Sequence, residues 1–183
     1  PKLLNRRVFI GYWQNKNYLT DKYISHFRNW RDNKTFELHQ ANTSEMRRKL
    51  AATLCVHVRL GDYIGTGHDV ITPRFYSEAL EIYRDKKIDK ILILSNEYDK
   101  AQDLILGLNN EIGSHFEIVE HNTKSYMHDF LTMASADNLI ISNSSFGWWA
   151  AFDASAVVAP SLWYKNAKFS PDFYFDNWQV LNV

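Results

Sequence analysis

From Thr53 onward, short apolar runs alternate with segments whose apolar positions recur every three or four residues. The runs are Thr53–Val58, Lys90–Leu94, Phe116–Val119, Asn138–Ile141 and Ala156–Ala159. None shows the apolar–polar alternation of a strand with one wet face. They therefore read as strands buried on both sides. Between them lie Pro73–Arg84, Tyr98–Leu108, Ser125–Ala136 and Ser145–Phe152, all with helical spacing. In the first, Phe75, Tyr76, Ala79, Leu80 and Tyr83 share one side, and Pro73 suits a first turn. The order β-α-β-α-β-α-β-α-β predicts an α/β fold, a Rossmann-like doubly wound parallel sheet.

Residues 1–50 follow a different pattern. Val8, Phe9 and Ile10 form a brief apolar run closed by Gly11, and Tyr12–Asn15 is aromatic and polar. Leu19, Tyr23, Ile24, Phe27 and Trp30 have helical spacing, while Thr35–Leu50 reads as a polar connector with a helical end around Ser44–Leu50. The expected division is 1–50 as the tail of another unit plus connector, and 51–183 as the α/β domain.

Open parallel sheets bind ligands beyond the carboxyl ends of their strands. Two such ends carry concentrated chemistry here. Asp137–Ala151 reads as strand, then Ser142, Asn143, Ser144 and Ser145, then a helix beginning with Phe146. Free N–H groups at a helix start, with hydroxyls beside them, suit a phosphate. The same residues also make ordinary helix caps. The other end is His57-Val58-Arg59-Leu60-Gly61-Asp62. His57 and Arg59 share one face of the strand end, where an arginine can meet a phosphate through two parallel charged hydrogen bonds. His57 is placed to donate to a sugar, phosphate or base. Asp62 can bind a sugar hydroxyl, accept a proton or fix Arg59. A purely structural Arg59–Asp62 pair over a core histidine fits the spacing equally well. Neither the glycine-rich dinucleotide fingerprint nor the P-loop pattern occurs, which argues against nicotinamide or P-loop chemistry.

Composition adds three limits. The 183 residues carry no net charge, but residues 1–60 hold a surplus of +8 and residues 61–183 a deficit of −8. That asymmetry suits an anionic partner or an ordinary solvated surface. The lack of a continuous basic run argues against nucleic acid. The single cysteine, Cys55, lies in an apolar run and excludes an intrachain disulfide. His121 and His128 lack the carboxylate pattern of metal ligands, and no Asp-x-Asp occurs. Aromatic residues make up 15% of the chain, which suits core packing as well as sugar or base stacking.

HVRLGDY, ITPRFYSEAL, HDFLTMASADNLIISNSSFGWWAAF and VVAPSLWY, in this order, resemble glycosyltransferase family 11, the α-1,2-fucosyltransferases. GYWQNKNYL and FSPDFYFDNWQVL resemble family segments at either end. The resemblance implies the donor-binding half of a GT-B architecture, with the N-terminal acceptor-binding half missing. It implies an inverting transfer of L-fucose from GDP-fucose to a galactose-type hydroxyl of a glycan acceptor. No metal or other cofactor is expected, and the location implied is the cytoplasm, beside the inner face of a bacterial membrane. Carried onto this chain, Arg59 and Asp62 are the catalytic candidates. His57, Arg59, Ser142, Asn143, Ser144, Ser145 and Phe146 are the donor-binding candidates. One departure stands out: the family pattern has two adjacent arginines, and the second is Leu60 here. Losing that cation is expected to weaken donor binding. A non-catalytic sugar- or nucleotide-sugar-binding module, and a transferase of another GDP-sugar, are the competing readings.

Overall fold

The computed structural model describes residues 13–120, 125–167 and 170–183. Val8–Gly11 and His121 lie outside them. Six strands form one sheet, all pairs parallel: β1 (Thr53–Val58), β2 (Lys90–Ser95), β3 (Glu117–Val119), β4 (Asn138–Ile140), β5 (Ala156–Pro160) and β6 (Trp178–Leu181). The spatial order is β3-β2-β1-β4-β5-β6, the doubly wound order of a Rossmann-like domain. The order reverses between β1 and β4, so the loops leaving these neighbours turn to opposite sides and open a crevice.

Side-chain alternation along the strands divides the core into two layers. Leu54, Val56, Val58, Ile91 and Ile93 face α3 (Pro73–Arg84) and α4 (Tyr98–Glu111). Cys55, Leu92, Leu94, Leu139 and Ile141 face α5 (Tyr126–Ala134) and α6 (Ser145–Ala151). Such strands are apolar throughout because both faces are covered. The five residues expected to line one side of α3 are the five it buries. Burial pushes the Cys55 thiol up to about 12, so it is an inert core group.

Two departures come from the chain ends. The helical spacing seen to Trp30 continues in α1 (Asp21–His39), which stops only at Gln40, in the left-handed conformation at φ +52°. The polar stretch after Trp30 continues that helix to His39 rather than forming a connector, and it holds the two residues α1 buries, Arg31 and Thr35. α2 (Thr43–Lys49) follows, started by a reciprocal cap between Asn42 and Glu45. The other departure is β6, four residues too short to show a period. Among the described residues the β5–β6 connection has no α-helix. It is held by ring N–H and hydroxyl groups instead: Trp148 donates to the Phe173 carbonyl at 2.8 Å, and Trp163 and Tyr174 donate to that of Pro160.

Part of the basic N-terminal third is an internal partner. Arg28 and Arg31 meet the Asp153 carboxylate at 2.5 and 2.7 Å, and Arg47 meets Asp137 at 2.7 Å. Asp137 thus anchors α2 and accepts from Ser155. Burial pushes the Asp153 carboxyl up, but its hydrogen bonds from Arg28 and Arg31 outweigh this and hold it below the usual range. No helix among the described residues is long and apolar enough to cross a membrane.

Candidate functional site

The crevice at the switch point is a cleft of about 740 Å³. Its walls come from the segment after β1 (Arg59, Asp62, Tyr63, Thr66, His68), the start of α6 (Asn143–Phe146), the segment after β5 (Trp163, Tyr164) and Gln14. Of the residues expected at the site, Arg59, Asp62, Asn143, Ser144, Ser145 and Phe146 line it. His57 and Ser142 do not. They lie beneath it, 5% and 0% exposed.

His57 leaves the ligand-facing role for a physical reason. It ends a strand covered on both faces, and its ring packs on Phe146 with centroids 5.7 Å apart. Nδ1 lies 3.0 Å from the Ser142 hydroxyl, joining the ends of β1 and β4. Gly147 permits this approach, since a Cβ there would sit 3.0 Å from Nδ1. Burial first, and then the charge of Arg59, push the imidazole down to about 4, against a smaller opposing pull from Asp129. His57 is therefore neutral near pH 7.

Asn143 also works structurally. Its Nδ2 donates to the carbonyls of His68 and Trp163 at 2.8 and 2.9 Å, tying together two loops that wall the cleft. Ser144 is the residue before α6, and its hydroxyl makes no capping bond. The first backbone bond into the helix is Trp148 N–H to the Ser144 carbonyl. The N–H groups of Ser145, Phe146 and Gly147 precede it and have no partner one turn back. Trp148, fully buried, is the core anchor of this helix, whereas Phe146 and Trp149 are half-buried. The buried side of α6 is formed by Gly147, Trp148, Ala150 and Ala151, so Phe146 and Trp149 are only partly covered. Phe146 instead meets Phe130 edge-on at 5.4 Å.

Past β1, Gly61 takes φ +65°, a conformation that glycine adopts without a Cβ penalty. The reversal brings Asp62 Oδ2 to 2.8 Å from Arg59 Nη2. That bond holds the Asp62 carboxyl below its usual range, which makes it a poorer base. The Arg59 guanidinium also lies over the Tyr63 ring, 5.4 Å from its centre. Leu60 points to the other side of the strand end and packs on the α3–α4 layer. The position lacking the second cation therefore does not face the cleft. Tyr126, at the start of α5, is 76% exposed and outside the cleft walls.

Several cleft residues were missed from sequence: Gln14, Tyr63, Thr66, His68, Trp163 and Tyr164. His68 stacks on Tyr63 at 4.7 Å and meets Tyr164 edge-on at 4.9 Å. The signal available was Gly67, where a Cβ would fall 2.2 Å from the Tyr164 ring. Three cleft residues carry buried nitrogens with no hydrogen-bond partner: Gln14 Nε2, Arg59 Nε and His68 Nδ1. Such groups are costly unless something polar meets them. Among the described residues no cluster of three His, Cys, Asp or Glu side chains is close enough to hold a metal ion.

A Rossmann-like sheet with a polar, arginine-bearing cleft at its switch point defines a doubly wound α/β class whose ligands bind in such a crevice. Within it, the chain belongs to glycosyl transferase family 11, whose family model matches residues 7–182. It is 26% identical over 172 residues to an alpha-1,2-colitosyltransferase of Escherichia coli, covering 86% of this chain and 56% of that protein. It is 27% identical over 125 residues to the O-antigen biosynthesis glycosyltransferase WbnK of Escherichia coli, covering 62% and 40%. The chain thus spans about half the length of the curated relatives it matches. Among solved structures, the Escherichia coli heptosyltransferase WaaC with ADP-2-deoxy-2-fluoro heptose superimposes with a TM-score of 0.44 at 12% identity, over 70% of this chain and 36% of that one. That likeness is one of outline and carries no functional weight.

Proposed function

We propose that this chain is the donor-binding half of a GT-B glycosyltransferase that moves L-fucose from GDP-fucose to a galactose-type hydroxyl in α-1,2 linkage. The observation that carries this reading is the cleft itself. Among the described residues Arg59 is the one permanent cation on its walls, and the residues that open α6, with their free N–H groups, line the same cleft. Gln14 and His68, which line the same space, also carry nitrogens without a hydrogen-bond partner. A diphosphate supplies acceptor oxygens for the Arg59 guanidinium and the α6 N–H groups. Family membership turns that anion into the diphosphate of a nucleotide-sugar.

The reaction on this reading is a single displacement. The acceptor hydroxyl attacks the anomeric carbon, the bond to the β-phosphate oxygen breaks, and GDP departs with the electron pair. Arg59 and the α6 N–H groups stabilise the negative charge that builds on that oxygen. Asp62 orients Arg59. The acceptor's proton goes to a base outside the described cleft or to water, since pairing with Arg59 makes Asp62 a weak acceptor. Residues 1–50 belong, on this reading, to the end of the acceptor-binding half.

The name of the 26%-identical relative favours a second donor sugar, a colitosyl group, with the same linkage. The test is transfer by the protein carrying its complete N-terminal half, with GDP-fucose, GDP-mannose and a colitosyl donor offered in turn to a galactoside. A fucosylated product with a new α-1,2 bond is expected. Transfer of mannose alone, or binding of galactosides with no affinity for GDP, contradicts the reading.

A further inference from the structure

β1 and β2 pair in register as far as Val58 and Ser95. One residue beyond, the backbone ladder ends and a side chain continues it. Asn96 Oδ1 accepts from the Leu60 N–H at 3.0 Å, and Asn96 Nδ2 donates to the Leu60 carbonyl at 3.0 Å. In a parallel ladder two different residues of the neighbouring strand would meet these two backbone groups; here one side chain meets both. A primary amide is the neutral side chain that presents an acceptor and a donor side by side. The partners fix its orientation, because a flipped amide would oppose donor to donor.

The grip falls on the residue between Arg59 and Gly61. Gly61 then turns at φ +65°, close against Asn96 and Glu97: a Cβ there would lie 3.1 Å from Asn96 Nδ2 and 2.5 Å from Glu97 Oε1. The turn delivers Asp62, whose two oxygens are divided. Oδ2 takes the bond from Arg59 at 2.8 Å, and Oδ1 has a long contact of 3.5 Å with Asn96 Nδ2. Asp62 is more than half exposed, at 57% for its side chain. On a free loop, water would compete for it and the Arg59 pair would contribute little. Asn96 is itself exposed and is not one of the residues that line the cleft.

We infer that Asn96 is a positioning residue for the anion site: its side-chain amide extends the β1–β2 ladder and holds Leu60, so that Asp62 aims Arg59 into the cleft. The inference rests on the reading that Arg59 binds the donor diphosphate. The clamp acts on the backbone of residue 60, so it works with any side chain there.

The test is a double-mutant cycle on this chain, with GDP as the probe in titration calorimetry. Asn96→Ala is expected to weaken GDP binding by about five- to tenfold, the range for one lost hydrogen bond acting on a charged contact. Asn96→Asp keeps one acceptor, loses the donor and adds a charge beside Asp62, so it is expected to bind no better. In the Arg59→Ala background, Asn96→Ala is expected to change nothing further, because it acts through Arg59. A thermal midpoint close to wild type separates this from general loss of structure. Wild-type GDP affinity in Asn96→Ala, or a full additional loss in the Arg59→Ala background, overturns the inference and leaves the Arg59 site intact. An Arg59→Ala chain that binds GDP like wild type overturns the donor reading, and the positioning role falls with it.

Discussion

The buried imidazole of His57 makes stability depend on pH in a way that is open to measurement. It is neutral in the fold and is pushed down to about 4 from an ordinary 6.5. Between these values the unfolded chain holds a proton that the folded chain does not, so stability falls as pH falls through this window. With those two values, lowering the pH from 7 to 5 removes about 2 kcal/mol through this one group. The perturbation is His57→Leu combined with Ser142→Ala, which keeps similar volume and leaves no hydroxyl orphaned at 3.0 Å from a missing ring. Repacking beside Gly147 shifts the absolute stability, so the comparison is of slopes. Urea unfolding followed by tryptophan fluorescence, at pH 7, 6 and 5, reports it through buried Trp148 and Trp163. Wild type is expected to lose about 2 kcal/mol more than the double variant across that range. Parallel losses, within the roughly 0.5 kcal/mol precision of such extrapolations, would show that His57 is accessible to protons and refute its place beneath the cleft.

Other expectations follow from single contacts. Asp153→Ala strands the buried Arg31 guanidinium, so denaturant unfolding should show a loss of about 2–4 kcal/mol. Because the folded Asp153 carboxyl titrates low, its contribution is present above the ordinary carboxylate range and disappears as pH falls through the folded value. The wild-type–variant difference should therefore shrink in acid, and a constant difference would contradict the ion pair. Gly61→Ala must carry a side chain at φ +65°, which costs about 1–2 kcal/mol. Its melting midpoint should fall and its GDP affinity drop further than stability alone explains. Asn143→Ala removes both loop ties, so amide exchange around His68 and Trp163 should accelerate while that of β1 stays slow. Unchanged exchange at His68 would refute its bridging role.

The sheet was legible because doubly covered strands leave continuous apolar runs, and five were placed within a residue or two. β6 was not, because Trp178–Leu181 is held by register with β5 and by aromatic packing rather than by a period of its own. The strand-end rule found two of the segments that wall the cleft, but it did not assign depth along them. His57 and Ser142 sit one step below the surface that Arg59 and Ser144 reach, and residue type carries no sign of that step. Asn96 was invisible for a related reason. Its partners are backbone atoms 36 residues away, and only the strand order makes β2 the neighbour of β1. Tyr63, His68 and Tyr164 come from segments without periodicity, where only Gly67 hinted at close packing.

On the proposed function, the switch-point cleft takes a nucleotide diphosphate on Arg59 and the start of α6. Backbone amide shift mapping with GDP, on wild type and on Arg59→Ala, tests it most directly. The account predicts shifts concentrated at Arg59–Tyr63 and Asn143–Phe146, with affinity about ten- to a hundredfold weaker in the variant, as expected for a charge-assisted contact. Shifts centred elsewhere, or equal affinity without the guanidinium, would contradict it.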